Sequence, residues 1–463
     1  MGPAGRISPA RTLTYWCAVA LLAGLGLTGP QAAVAVALPG AGTVEDVDTS
    51  IVDRIFSENF PALNGRNAST ILNSTGLDCT YYIAELGTRD DRTWDYDGRS
   101  FTQRSTTEQM RNLPTIENAK ELLALSGLDM AEILQFDALS KAGDRAAMLA
   151  LLTKYIEPDM DKYNRKDVEG YDPALCLNPS RDRVYRLDIT DAKLTEIRNC
   201  ARLFAAGRYA DYRKKIEGYL AAYPHLSLLH VAMGNACFAE GDLDGAERWY
   251  RQGASANPLN PMLGYSMAFC HLARGGAARA VEALTGAVMM CRNNLLAWLA
   301  LDCLLPGQGG QIVDHRFKNR TLVAAESARI AVDKGQTQKV LEPWLWYAAA
   351  EIVTEHSRSR TAHGFDTWDL EAIETYKIAH LLGVYMQQKS VDPTAYDPDL
   401  DTLQDIYESG FLRQYIIYDR IAPYGQYFRV AVLPEPEKAK MRQYVDRYVV
   451  RLNVRGGAPG PTR

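Results

Sequence analysis

The chain reads as mainly α: a right-handed helical solenoid from about residue 190, preceded by a smaller mixed α/β region. Three observations predict this. Gly207, Gly241 and Gly275 stand 34 residues apart, within Ala206–Tyr209, Glu240–Leu243 and Arg274–Ala277. Pro224 and Pro258 repeat the same interval. Beyond Pro114, apolar residues recur at helical spacing almost to the end. A period of this length makes each repeat one helix–turn–helix unit that cannot bury its apolar face alone, so stacked neighbours share a core.

Composition narrows the class. Hydrophobic residues make up 47% and charged residues 23% of the 463, which describes a globular chain. A net charge of −5 leaves no basic footprint for nucleic acid or an anionic membrane surface. Residues 1–37 read as a secretory signal: Arg6 and Arg11 precede an apolar run from Tyr15 to Leu27. Cleavage patterns of small residues follow at Ala33-Val34-Ala35 and Ala35-Val36-Ala37. Gly29-Pro30 interrupts the run below the ~20 residues that a spanning helix needs. An uncleaved anchor extended by Ala32–Leu38 is the alternative. The expected location is therefore periplasmic or secreted, with no membrane span after cleavage.

Export implies an oxidising compartment. Loss of Cys17 from the eight cysteines leaves an odd number, so at least one is free or pairs between chains. Cys200, Cys237 and Cys270 fall on first helices of repeats and read as buried thiols. Cys79 and Cys176, in the irregular N-terminal half, are the best intramolecular pair, and spacing leaves the connectivity open.

Taken in order, Leu38–Thr43 is a linker and Val47–Phe56 a short helix. Thr80–Ala84 is a strand, and Tyr96-Asp97-Gly98-Arg99 signals a hairpin turn between Trp94 and Phe101. Pro114 opens a helix with Ile116, Ala119, Leu122, Leu123 and Leu125 on one face. Asp144 caps another, whose Met148, Leu151, Leu152 and Tyr155 form a stripe ended by Pro158. Tyr163–Ser180 is a polar connector and Arg183–Asp188 a short extended piece. A boundary near 190 closes the mixed region, 38–190.

The repeats occupy 191–335. The first pair is Leu194–Phe204 with Tyr209–Tyr223, the second Leu228–Ala239 with Leu243–Ala256. The third is Met262–Ala273 with Ala277–Cys291. A fourth starts at Leu295, carries the insertion Pro306–Gly310, and resumes in a helix over Thr321–Val332. Divergent or capping helices fill 336–454: Val340–Glu355, Leu370–Gln388, Leu400–Ile421 and Glu435–Leu452. The tail 455–463 is rich in Gly and Pro and reads as disordered.

Residues 227–260 resemble a tetratricopeptide repeat, as found in exported bacterial proteins of that family. Met233-Gly234-Asn235-Ala236-Cys237 is similar to the family's Leu-Gly-x-x-Tyr stretch, while Ala246, Tyr250 and Pro258 match its small, aromatic and terminating positions. Gly234 and Ala246 let two helices approach, and Tyr250 fills the seam. Residues 261–294 keep Ala268, Ala280 and Ala287, but Leu284 replaces the aromatic residue and Arg292 the proline. In 193–226, Pro224 survives while Cys200 and Tyr212 replace small residues; Trp298 matches the early tryptophan of a fourth unit. The resemblance implies that first helices line a concave groove where peptide segments dock. That groove would show Leu194, Ile197, Ala201 and Phe204, then Leu228, Val231, Asn235 and Phe238, then Met262, Tyr265, Phe269 and Leu272. Asn235 suits the subgroup that grips a terminal carboxylate, but Val231 stands where a lysine is needed. The occupant would be a partner's apolar anchors, or the chain's own 38–190 or C-terminal helices.

Catalytic signatures are not in the sequence: it holds no nucleophile elbow, phosphate loop, zincin helix, Cys-x-x-Cys pair or dinucleotide fingerprint. His356 and His363 straddle a polar segment, and His230 and His271 fall on repeat helices as packing or groove residues. Asp397, Asp399, Asp401, Asp405 and Glu408 approach calcium-loop spacing, yet Thr402 holds the site that needs glycine. Clustered acids at a helix N-terminus are the simpler account. Asp90-Asp91 and Asp159/Asp161 read as solvated loops. Asn67, Asn73 and Asn319 carry glycosylation sequons. The expectation is an exported, non-enzymatic scaffold that binds a protein or peptide partner in the cell envelope, without cofactor or metal. The alternative is an enzyme or carbohydrate-binding protein using Tyr81, Tyr82, Trp94, Tyr96 and Asp97, with the repeats as scaffold. A structural subunit of an envelope assembly is a third reading.

Overall fold

In the computed structural model the described residues are 36–37, 50–59, 80–84, 92–96, 99–103, 130–155, 174–313, 320–324, 329–333, 341–360, 370–422 and 429–452. Residues 1–35 of the expected signal, the linker from Leu38, the helix from Pro114, the sequons and the tail lie outside them. The protein is mainly helical, with adjacent helices packed in pairs and a few short strands. Contacts divide it into two compact units, residues 1–88 with 318–400 and residues 89–317 with 401–463. Each draws on two stretches of the chain.

The first unit begins with β1 (Val36–Ala37), α1 (Ser50–Asn59) and β2 (Thr80–Ala84). The second begins with β3 (Arg92–Tyr96), β4 (Arg99–Gln103), α2 (Met130–Ala142), α3 (Arg145–Thr153), β5 (Leu175–Leu177) and β6 (Val184–Arg186). Its helix pairs follow: α4 (Asp191–Arg198) and α5 (Ala201–Ala205) with α6 (Tyr209–Ala222), then α7 (Ser227–Ala239) with α8 (Leu243–Ala256). The third pair is α9 (Met262–Ala273) with α10 (Ala277–Met290), before α11 (Leu295–Leu304) and β7 (Gly310–Ile312). The first unit resumes with β8 (Thr321–Ala324), β9 (Arg329–Asp333), α12 (Leu341–Arg360) and α13 (Leu370–Val391). The chain continues through α14 (Pro398–Glu408), α15 (Leu412–Tyr415), α16 (Glu435–Tyr444) and β10 (Val450–Leu452).

The 34-residue interval has a backbone cause. Gly207, Gly241 and Gly275 have φ of +69°, +82° and +74°, the left-handed region that glycine enters without a Cβ clash. Each ends a first helix with the same bonds. Gly241 N donates to Phe238 O and Asp242 N to Cys237 O, and the pattern recurs as Gly207 to Phe204 with Arg208 to Leu203. It recurs again as Gly275 to Leu272 with Gly276 to His271. This motif satisfies the last carbonyls of the helix and reverses the chain. Gly309, a further 34 residues on, also has a left-handed φ, +69°, but there it ends a 3-10 turn that leads into β7.

The seam between α7 and α8 is set by Gly234. A Cβ there would lie 2.2 Å from the Tyr250 ring, so only glycine admits the aromatic residue. Tyr250 is fully buried, and its hydroxyl donates to Asn235 Oδ1 at 2.8 Å.

Three expectations are corrected. Residues 321–332, expected to be the second helix of the fourth pair, are the strands β8 and β9, paired antiparallel with Val323 opposite Ile330. Thr321, Val323, Ile330 and Val332 are β-branched and alternate, a period-2 pattern that overrides the helical one. β9 also runs parallel to β2, in a sheet ordered β1-β2-β9-β8. The expected helix Leu400–Ile421 is broken by Gly410, φ +76°, into α14 and α15, the latter continuing as a π-helical turn over Ile416–Ile421. The expected helix Glu435–Leu452 passes into a π turn over Val445–Val449 and ends as β10, antiparallel to β7. The Thr80–Ala84 strand and the Trp94–Phe101 pairing stand as expected.

In the first unit α13 is buried on every side from Ala372 to Tyr385. His380 on it is fully buried, stacked on Trp346 at 6.0 Å and edge-on to Tyr376 at 4.5 Å. Its Nδ1 donates to Tyr376 O at 2.8 Å, so Nε2 is the bare nitrogen, and no hydrogen-bond partner faces it. Burial lowers its pKa to about 4. The unfolded chain therefore binds an extra proton as pH falls through about 6.5, and the stabilisation is lost progressively down to about pH 4. The expected cost is on the order of 3 kcal/mol across that window. Thermal midpoints of wild type and His380→Leu at pH 7 and pH 4.5 check it: the acid-induced drop is expected to shrink in the variant.

Candidate functional site

In the second unit the first helices are the most deeply buried elements of their pairs, and α7 packs against α9. α7 is buried at every position from Ser227 to Cys237, and α11 at every position from Leu295 to Leu301. Of the positions expected to line a groove, Leu194, Ile197, Leu228, Val231, Asn235, Met262, Tyr265 and Phe269 are all buried, at 6% exposure or less. Phe204, Phe238 and Leu272 are half-buried, as is Ala201 at the start of α5. The first three share one structural position, three residues before each left-handed glycine and 34 apart. The turns beside them face open space, since a Cβ on Gly207, Gly241 or Gly275 would meet nothing within 4 Å.

Against these first helices lies α3. Asp144 caps this helix through Ala147 N, and Met148, Leu151, Leu152 and Tyr155 are buried along one stripe. α3 packs against α11, and the Tyr265 hydroxyl donates to Leu152 O at 2.6 Å. Tyr155 stacks on Phe136 of α2 at 6.3 Å. Thus part of the mixed N-terminal region covers part of the surface that the family resemblance assigned to a partner.

The polar residues of the first helices are turned into seams. Asn235, 1% exposed, is engaged by Tyr250 rather than presented to a terminal carboxylate, and Val231 offers no charge. His230 Nε2 donates to Pro224 O at 2.9 Å, and burial holds its pKa below the usual histidine range. Burial also lowers the pKa of His271. Both fit packing positions. The pKa of Glu247 is lowered because Arg274 donates to it, and Arg251 pairs with it as well.

The turns between pairs are covered too. Asn257 Nδ2 donates to Leu175 O at 2.7 Å and Arg181 Nη2 to Ser255 O at 3.0 Å, which fastens the β5–β6 hairpin over the end of α8. Leu177, Leu259, Cys291 and Ala431 form a small apolar cluster there.

Arg292, which stands where the family has proline, belongs to a buried network. Its Nε meets Asp419 Oδ1 at 3.1 Å, and its guanidinium lies over the Tyr418 ring. Its carbonyl accepts from Trp298 Nε1 at 2.6 Å. Tyr444 donates to the other oxygen of Asp419, and Tyr418 to Val288 O. The departure from proline was the sequence signal for this network. Asp419 itself, 127 residues away, carried none.

The acidic residues from Asp397 stand at the start of a helix, the simpler of the two accounts. Asp397 caps α14, its Oδ1 accepting from Asp399 N and Leu400 N. Asp399 pairs with Arg320, and Asp405 accepts from Tyr448. Among the described residues no cluster of three or more His, Cys, Asp or Glu forms a metal site. His363 lies outside the described residues. Of the candidate sugar-binding residues, Tyr81 and Tyr82 fall in the first unit and Trp94 and Tyr96 in the second, while Asp97 is outside the described residues.

Cys200, Cys237, Cys270 and Cys303 are buried thiols. Burial pushes all four up, Cys270 and Cys303 to about 12. Cys176 is buried as well, with Sγ donating to His225 O; its expected partner Cys79 lies outside the described residues. Among the described residues no helix is long and apolar enough to cross a membrane. Comparison with family models, curated proteins and solved structures finds no match.

Proposed function

We propose that this chain is an exported, non-enzymatic scaffold of the tetratricopeptide type that holds a protein partner in the cell envelope. The observation that carries the reading is the run of three helix pairs whose two helices are joined at left-handed glycines 34 residues apart, Gly207, Gly241 and Gly275. Equivalent units at a fixed interval bring equivalent side chains into register, which suits them to recognise an extended or helical segment. The apolar run and small-residue sites in 1–37 support export. With α3 meeting Tyr265, the accessible foothold is Phe204, Phe238 and Leu272.

A photo-crosslinking amino acid at Leu272 is expected to capture the partner in envelope fractions. The same group at Lys214, exposed on α6, is expected to capture it at least tenfold less. Equal capture at both positions, or none at Leu272, would count against the reading.

A further inference from the structure

α3 has the form of a ligand helix. Met148, Leu151 and Leu152 are buried at i, i+3 and i+4, with Tyr155 buried two residues past the helix end, while Arg145, Ala146 and Ala150 on the helix and Lys154 at its C-cap are exposed. That is the anchor spacing by which an amphipathic helix lies in an apolar groove. Its last turn is recognised by hydrogen bonding as well as by shape: Leu152 O, near the C-terminal end of the helix, accepts from the Tyr265 hydroxyl. Tyr265 is fully buried, and losing that acceptor without replacement would leave its hydroxyl unsatisfied.

The hairpin that carries α3 is held from one side. α2 buries Ile133 and Phe136 but leaves Met130 68% and Leu134 53% exposed on its outer face. The connection between them, Gly143 in the left-handed region followed by the capping Asp144, uses the turn chemistry of the repeats. α2 and α3 therefore form a helix pair of the same kind, and α3 packs against α11 and meets Tyr265 of α9.

We propose that α3 is an in-cis stand-in for the partner, which is itself a protein presenting an amphipathic helix with large apolar residues at i, i+3 and i+4. Its helix takes the place of α3 and ends with a last-turn carbonyl on Tyr265. This rests on the scaffold reading and assigns the class of partner and the competitor that regulates access. Contact at Phe204, Phe238 and Leu272 precedes exchange with α3.

Two measurements on the full chain test it. In native-state hydrogen exchange, the amides of 145–153 are expected to exchange at least tenfold faster than those of α7 and α9, because the hairpin lifts while the repeats stay folded. Equal protection, lost in one cooperative step, would overturn the proposal. The second uses a fluorescent peptide of residues 144–156. It is expected to bind a Leu151→Ala/Leu152→Ala variant at least tenfold more tightly than wild type, and about fivefold more weakly once Tyr265→Phe is added. A folded variant that gains no peptide affinity would also overturn it; if the variant does not fold, the exchange result decides. Fast hairpin exchange and peptide binding without partner capture at Leu272 would instead retain the in-cis ligand and defeat the envelope-partner reading.

Discussion

Tyr250→Ala is expected to lower the stability of the second unit by about 3–5 kcal/mol, the usual cost of emptying a large aromatic site in a core. The ring is 0% exposed and sits in the space that Gly234 leaves between α7 and α8. Its removal creates a cavity at the most regular point of the repeats and strips Asn235 Oδ1 of its donor. Two companions separate these contributions. Tyr250→Phe keeps the volume and is expected to cost about 1 kcal/mol for the hydrogen bond. Gly234→Ala keeps the tyrosine but drives a methyl into it, for about 1–3 kcal/mol of overpacking. Urea denaturation followed by circular dichroism checks the order. A loss below about 1 kcal/mol for Tyr250→Ala would mean that the seam is not close-packed.

Asp419→Ala should be comparably damaging, at about 3–5 kcal/mol, because it strands a buried guanidinium. Arg292 and Asp419 side chains are only 5% and 8% exposed. Arg292 would keep its place over the Tyr418 ring and lose its counter-charge, and Tyr444 would lose its acceptor. The pair itself gives less than this figure suggests, since desolvation offsets much of the attraction. The double replacement Arg292→Met with Asp419→Leu is therefore expected to recover most of the loss. A double-mutant cycle decides, and strictly additive losses would show that the two side chains do not act as a unit.

The parts of the fold legible in the sequence are those with local causes. Helix pairs from Ser227 to Met290 could be placed almost to the residue, because left-handed glycines and apolar stripes are properties of short windows. Asp144 was readable as a cap for the same reason. The Gly234–Tyr250 seam was legible through the family pattern, since a glycine and an aromatic residue at that spacing have one packing solution.

What stayed hidden depends on distant residues. Apolar content at helical spacing does not distinguish a helix face awaiting a partner from one already covered. The contact between Leu152 and Tyr265 spans 113 residues and leaves no local mark. β2 and β9 pair in parallel across more than half the chain, which is why 321–332 read as a helix when judged by its neighbours alone. The discontinuous units follow from the same long-range pairing. The π turns at Ile416–Ile421 and Val445–Val449 likewise answer to packing, with all of Ile416, Ile417, Tyr418, Val445 and Tyr448 buried.

Central to the proposed scaffold is the contact that α3 makes with Tyr265 of α9. Benzophenone-bearing phenylalanine in place of Tyr265, followed by irradiation and peptide mapping, reads this contact directly. The predicted product is an intrachain link from position 265 to residues 148–155. A link to some other segment, with 148–155 left unmodified in the folded protein, would contradict it.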